Sequence, residues 1–205
     1  MVKKQIELRG ITNKSITNAF LAIPREEFVL QKYKNNAYDD LETPIGFGQN
    51  LDRPYEDALM IEFMAITPND RVLEVGTGSG YLAAVISRIA QEVYTIEIDP
   101  QIAQMAKNHL DNLGYKNIWI KADDGFKGWS EYAPFNAIVL TCSPDKVPEP
   151  LIEQLAEGGR IVLPLGGTKK FQELVLYKKI NGKLVEAQRI APATFVPMKG
   201  KVLEK

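Results

Sequence analysis

The chain has one cysteine, Cys142, and one histidine, His109. One thiol cannot close an internal disulfide, and no metal-spaced cluster or Ser-His-Asp arrangement is present. Nothing near Cys142 in sequence would make it a thiolate, so it reads as a small packed residue, and His109 reads as a surface residue. Charge of one sign is also missing: 25 Lys and Arg stand against 26 Asp and Glu, for a formal charge of -1. Without a long like-charge block there is no electrostatic footprint for nucleic acid or an anionic membrane. The apolar runs are too short to span a bilayer, and Met-Val-Lys-Lys-Gln lacks the apolar core of a signal peptide, so the expected location is cytoplasmic.

A chain of 205 residues, 45% hydrophobic and 25% charged, suffices for one domain with a sheet covered by helices on both faces. Residues 1–205 are therefore expected to form a single unit. Its focus is Arg71-Val-Leu-Glu-Val-Gly-Thr-Gly-Ser-Gly80. Apolar and β-favouring residues run into Gly76, Gly78 and Gly80, and Tyr81-Leu-Ala-Ala-Val-Ile continues with helical spacing. This predicts a buried strand, a tight turn and a helix, the opening unit of a nucleotide-binding α/β sheet.

Before this unit, residues 1 to about 45 hold two short helical patterns. Ile16, Phe20 and Leu21 mark one face of the first, and Pro24 opens the second through Glu26, Glu27 and Phe28. They are expected to form a helical cap over the ligand edge of the sheet. The polar, glycine-bearing stretch from Tyr38 to Asp52 predicts a functional loop. Residues 1–53 would thus be cap and substrate loop, and 54–205 the core. Pro54 begins a helix with Leu59, Met60, Phe63, Met64 and Ile66 as its buried stripe. Further strands are expected at Val93–Glu97, Asn117–Lys121, Phe135–Leu140 and Arg160–Leu163, with Asp99-Pro100 capping a helix to about Leu113. Another helix lies around Leu151 to Leu155, before a Gly158-Gly159 break. The alternation predicts a doubly wound, mostly parallel sheet of Rossmann-like type. Asn181-Gly182 between Glu173–Ile180 and Lys183–Ile190 predicts an antiparallel hairpin at its end.

A dinucleotide site would want a third glycine where Tyr81 stands. The pattern Glu74-x-Gly76-x-Gly78-x-Gly80 instead resembles the first motif of class I S-adenosylmethionine-dependent methyltransferases. That cofactor has no pyrophosphate and carries a sulfonium and an ammonium, so an acid beside the glycines is favourable. Glu97, ending the second strand, is placed to accept from the ribose hydroxyls, unless it is only a solvated strand-end carboxylate. Asp124, ending the third, is a candidate acceptor for the adenine amino group, with Asp123 or a simple turn role as the plainer readings. Gln49, Thr77, Ser79, Ile98 and Gly125 complete the expected cofactor-binding set.

The resemblance extends along nearly the whole chain. Ala19-Phe-Leu-Ala-Ile-Pro-Arg-Glu-Glu-Phe28, Ala37-Tyr-Asp-Asp40, Pro44-Ile-Gly-Phe-Gly-Gln49, Leu73–Tyr81, Leu113-Gly-Tyr-Lys-Asn117, Gly158–Pro164 and Phe195-Val-Pro-Met198 are similar to the protein-L-isoaspartate (D-aspartate) O-methyltransferase family. The resemblance implies methyl transfer from S-adenosylmethionine to the α-carboxylate of isoaspartyl residues in damaged proteins, leaving S-adenosylhomocysteine. It also implies substrate contacts at Ile45, Gly46, Asn50, Leu51, Arg53, Val196 and Pro197, with residue 52 at the reacting centre. A monomer acting on isoaspartyl proteins or peptides, with no nucleic acid or membrane partner, is expected. The family motif after Pro-Ile-Gly-x-Gly-Gln reads Thr-Ile-Ser-x-Pro, whereas here Asn50-Leu-Asp-Arg-Pro54 puts Asp52 at the serine. An ionised Asp52 would repel an acceptor carboxylate. Either Arg53 or a proton offsets this, or the chain is a paralogue methylating a neutral or cationic acceptor with Asp52 as base or orienting acceptor. Alternatively, Asp52 only serves the N-terminus of the helix opened by Pro54. A non-catalytic S-adenosylmethionine-binding module is a third functional reading.

Overall fold

In the computed structural model, which describes residues 1–168 and 171–203, the core is a seven-stranded sheet. In chain order the elements are α1 (Lys14–Ala22), β1 (Thr43–Gly46), β2 (Gln49–Leu51), α2 (Pro54–Met64), β3 (Arg71–Val75), α3 (Tyr81–Ser87), β4 (Glu92–Glu97) and α4 (Pro100–Asn112). There follow β5 (Ile118–Ala122), β6 (Phe135–Leu140), α5 (Glu149–Gln154), β7 (Leu155–Leu165), β8 (Gln172–Ile180) and β9 (Lys183–Ala193). Strand order is β5-β4-β3-β6-β7-β8-β9, with the first five parallel and the last two antiparallel. The chain winds outward from β3 through β4 to β5, then resumes on the other side at β6. A crevice therefore opens at the carboxyl ends of β3 and β6, where a ligand site in such a sheet is expected.

Alternation along the strands supplies both cores. Val72, Val93, Ala137 and Val139 face the cap, α2 and α3, while Leu73, Val75, Tyr94, Ile138 and Leu140 face Leu151 of α5 and the aromatic group of Trp119, Trp129 and Phe135. Asp99 Oδ1 caps α4 by accepting from the Gln101 amide at 2.8 Å. The β8–β9 hairpin turns at Asn181 and Gly182, both with positive φ (52° and 73°), as an Asn-Gly hairpin requires.

Several expectations need revision. Leu21 is 70% exposed, because helical spacing from Ile16 leads to Phe20, and residue 21 lies a further 100° round. The second helical pattern resolves into two 3-10 turns, Arg25–Phe28 and Gln31–Asn36. The loop from Tyr38 to Asp52 contains the β1–β2 hairpin, reversed through Gly46, Phe47 and Gly48, all at positive φ. Helix α2 is not one stripe: Asp57, Ala58, Met60, Ile61 and Met64 are all buried, since cap and sheet enclose it from opposite sides. The glycines at 158 and 159 lie inside β7, at a register shift against β6, instead of ending a helix before it.

One side chain joins the two ends of this scaffold. Arg160 on β7 donates from Nε to Met64 O (2.7 Å) and from Nη2 to Ala65 O (2.9 Å) and Asp70 Oδ2 (2.7 Å). It satisfies the last carbonyls of α2, which ends on Ala65 in the left-handed region. Asp70 is otherwise held by Thr67, so removing Arg160 strips both carbonyls and a largely buried carboxylate of their charged partner. Arg160→Ala is expected to cost about 2–4 kcal/mol of stability. A urea unfolding midpoint that does not move would refute this.

Candidate functional site

The turn after β3 is held from three sides. Gly76 donates to Ile96 O at 2.9 Å, Thr141 Oγ1 donates to Gly76 O at 2.8 Å, and Gly80 donates back to Thr77 O at 2.9 Å. Gly76 has φ 102°, and a Cβ there would lie 2.2 Å from Thr141 Oγ1. Only glycine allows β3 and the end of β6 to approach this closely. Gly80 starts α3 against Leu110, where a Cβ would come within 3.0 Å.

Beneath the turn is a buried polar chain. Thr95 Oγ1 donates to Glu74 Oε2 at 2.5 Å and lies 2.6 Å from Thr77 Oγ1. A hydroxyl has one proton, so with Thr95 facing Glu74 the Thr77 hydroxyl donates to Thr95. Glu74 has no exposed surface, and burial above all pushes its pKa up to about 8, against the Thr95 bond that lowers it. Its Oε1 and Ser79 Oγ are buried without a hydrogen-bond partner among the described residues. Both residues belong to the cleft wall. Glu97 accepts from the Gly78 amide (3.0 Å) and the Asp99 amide (3.1 Å), so it props the turn while facing the cleft.

The expected residues Gln49, Asn50, Leu51 and Asp52 form one side of the same cleft. Glu74, Gly76, Thr77, Gly78 and Ser79 form its floor, with Glu97, Ile98 and Gly125 beyond, and Val196 and Pro197 opposite. Five of the expected residues lie off the wall. Gly80 packs on Leu110; Ile45 backs Gly78, its Cδ1 3.5 Å from where a Cβ would stand; Gly46 serves the hairpin turn. Arg53 is exposed at the start of α2 and makes no bond to Asp52. Asp124 accepts from the Phe126 amide (2.9 Å) and the Lys201 amide (2.7 Å), so its carboxylate is a turn cap and a tether for the C-terminal segment. Asp123 pairs with Lys121 and Lys127, which with the Asp124 amide hold its carboxyl well below the usual range.

Other residues complete the site. Thr194, Phe195, Met198 and Lys199 extend the wall around Val196, on a segment fastened by Ser143 N to Val196 O (2.8 Å), Met198 N to Ser143 O (2.9 Å) and two bonds to Gln172. Thr141 and Cys142 lie at the end of β6. Burial raises the Cys142 thiol to about 12, in keeping with an unreactive packed residue. His109 is half-buried, its Nδ1 3.4 Å from Ser79 O and its ring edge-on to Phe28, so it backs the glycine turn.

Asp52 stands in a field of carboxylates. Burial raises its pKa well above the ordinary aspartate range, and Asp57, Glu56 and Glu42 add to the rise against the opposing Arg25. Its side chain makes no hydrogen bond to the first turn of α2, so it does not serve as that helix's cap. The arginine that reaches it is Arg25, which donates from Nη2 to the Asp52 carbonyl. No spacing rule marks Arg25 or Asp57, because each is defined by what folds around it.

Folding raises the Glu74 pKa from 4.5 to about 8, so the folded protein holds this proton more tightly than the unfolded chain. The group's contribution is most favourable below about pH 4.5, weakens as pH rises, and levels off above about 8. Glu74→Gln, which stays uncharged, is expected to lose less stability between pH 5 and 8 than the ligand-free parent, by roughly 3 kcal/mol. Parallel stability curves for the two proteins would count against a buried, proton-holding Glu74.

Comparison with known proteins gives the same answer along the whole chain. The model of the protein-L-isoaspartate(D-aspartate) O-methyltransferase family matches residues 1–203. A protein-L-isoaspartate O-methyltransferase of Picosynechococcus sp. is 44% identical over 200 residues, covering 98% of this chain and 89% of the relative. A protein-L-isoaspartate O-methyltransferase 2 of Shewanella sediminis is 45% identical over 204 residues, covering 100% and 83%. A solved protein-L-isoaspartate O-methyltransferase superposes with TM-score 0.89 at 31% identity over 98% of this chain and 67% of that one. A Plasmodium falciparum structure in complex with S-adenosyl-L-homocysteine shares the fold, with TM-score 0.82 at 22% identity over 97% and 96%. By the whole-chain match and these identities, the chain belongs to the protein-L-isoaspartate(D-aspartate) O-methyltransferase family.

Proposed function

We propose that this protein transfers a methyl group from S-adenosylmethionine to the α-carboxylate of L-isoaspartyl residues in damaged proteins, the first step in returning them to aspartate. The observation that carries this reading is the family match over residues 1–203, with no part of the cleft left outside it. Bound S-adenosylmethionine supplies an electrophilic methyl on a sulfonium. The orphaned Glu74 Oε1 and Ser79 Oγ support the fit, since a buried carboxyl oxygen without a donor suits a cationic ligand. In this reading the glycine turn admits the cofactor, Glu97 accepts from its ribose hydroxyls with lone pairs left over from two backbone amides, and Gly125 and Ile98 line the adenine end. The tethered Asp124 is left to hold the C-terminal wall. We take the enzyme to be a monomer and assign it to the cytoplasm. Among the described residues no helix is long and apolar enough to cross a membrane.

An acceptor carboxylate is ionised near neutral pH and needs no general base, so the residues have to position it and exclude water. Asp52 is the residue we place beside it. Burial above all, with Asp57, Glu56 and Glu42 beside it, raises its pKa, and in the protonated form it presents an O–H donor, as the family serine does.

Incubation with labelled S-adenosylmethionine and matched isoaspartyl and aspartyl peptides should label only the isoaspartyl peptide. No transfer, with cofactor binding intact, would refute the assignment. Asp52 ionises as pH rises through its raised pKa, and the resulting like charge opposes the acceptor. The parent's kcat/KM should therefore fall at high pH by about fivefold or more, about 1 kcal/mol being the cost of such a pair even in water. Asp52→Ser should stay level over the same range. Parallel profiles would show that Asp52 does not face the acceptor.

A further inference from the structure

The guanidinium of Arg25 has no exposed surface. Its Nε donates to Ala37 O at 2.8 Å, Nη1 lies 3.4 Å from Asp57 Oδ2, and Nη2 donates to the Asp52 carbonyl. The group also lies over the Tyr81 ring, 4.6 Å from its centroid, and Tyr81 is the residue directly after the glycine turn. One side chain of the cap thus touches the segment around Ala37, the Asp52 linker, α2 and the first turn of α3. Dehydrating a guanidinium is costly, and a buried ion pair is commonly replaceable by apolar residues without loss of stability. Stability alone does not account for an arginine here.

The geometry of the linker does. β2 ends at Leu51 and α2 begins at Pro54, so residues 52 and 53 are fixed only by what binds their backbone. The Asp52 side chain makes no hydrogen bond or ion pair with any described residue, so its direction follows from its main chain. Its carbonyl is held by Arg25 alone among the side chains described.

We propose that Arg25 is a positioning residue for the methyl acceptor: it fixes the Asp52 main chain against the cofactor turn, and so sets where the Asp52 side chain meets the acceptor carboxylate. This rests on the reading of Asp52 as acceptor-facing. Arg25 touches neither cofactor nor acceptor and works through Asp52, Asp57 and Tyr81. The forked guanidinium matters, because an ammonium cannot reach three separated acceptors in one plane.

The test is Arg25→Lys in the full-length protein, which keeps the charge and loses the fork. Expected are a kcat/KM for an isoaspartyl peptide at least tenfold lower, carried mostly by kcat, and an S-adenosylmethionine affinity by calorimetry within twofold of the parent. In an Asp52→Ala background, where no carboxyl remains to be placed, the same change should cost less than twofold. A cofactor affinity that falls with kcat/KM, or equal costs in both backgrounds, would reduce Arg25 to a general structural role and overturn the proposal. Amide hydrogen exchange reads the same point without turnover. Residues 49–53 should exchange at least tenfold faster in Arg25→Lys while 76–80 keep their protection, and unchanged exchange at 49–53 overturns the proposal whatever the acceptor is. If the parent methylates no isoaspartyl peptide yet the loop exchange responds, the assigned activity fails and the positioning of residue 52 stands.

Discussion

A glutamate with no exposed surface sits in β3, an interior strand of the sheet, and the cleft is arranged around what balances it. Glu74 has one oxygen satisfied by Thr95 and the other by nothing among the described residues. Such a group either keeps a proton or waits for a positive charge. The surrounding structure cannot relieve it. β3 is paired on both sides, the turn above is fixed by Gly76 against Thr141, and the neighbouring Glu97 is committed to holding Gly78 and Asp99. Fold and site are therefore one constraint, because the glycines that let the strand ends approach also put the buried Glu74 at the wall of the cleft.

The second buried charge has the opposite sign and lies on the other side of the cleft. Arg25 enters from the cap, and its partners Asp57 and Tyr81 belong to α2 and α3, the helices flanking the crevice. Phe20 and Phe28 pack edge-on to the same Tyr81 ring, at 6.3 and 5.5 Å between centroids, so an apolar contact surrounds the polar one. Tyr81 thereby explains itself. Where a dinucleotide fold has glycine to bring helix against strand, this chain has a large ring to which the cap is fastened.

Most of the sheet was legible because a buried parallel strand leaves a continuous apolar run and a hairpin leaves Asn-Gly. Phe135–Leu140 is read to the residue, and Asp99-Pro100 marks its helix by cap chemistry. The less legible parts are those whose form depends on distant partners. Val2–Ile6 and the 3-10 turns of the cap carry weak helical patterns and are shaped by packing on α1, α2 and Tyr81. In the site, strand-end acids and glycines were readable from position alone, whereas Asp124 reads the same as a ligand or as a cap until Lys201 is seen to donate to it. Arg53, next to Asp52 in sequence, was the obvious counter-charge; Arg25, 27 residues away, is the one that folding delivers.

The cleft has to accommodate two ligands of unlike charge. Glu42, Asp52, Asp57, Glu74 and Glu97 line it beside Lys199, a carboxyl-rich wall better suited to a sulfonium than to a carboxylate. An aspartate at position 52 is compatible with an anionic acceptor only while it is uncharged, and burial, with Asp57, Glu56 and Glu42 beside it, shifts its pKa in the direction that favours the uncharged form. In the proposed reading, the carboxylates around Asp52 work against the acceptor at long range and for it at contact, by favouring a donor where the acceptor needs one. In that reading, a proton on Asp52 is what lets a cleft suited to a cation also take a carboxylate. That proton requires Asp52 to remain among its acidic neighbours, which returns the acceptor's fit to the position of a two-residue linker and the arginine that holds its carbonyl.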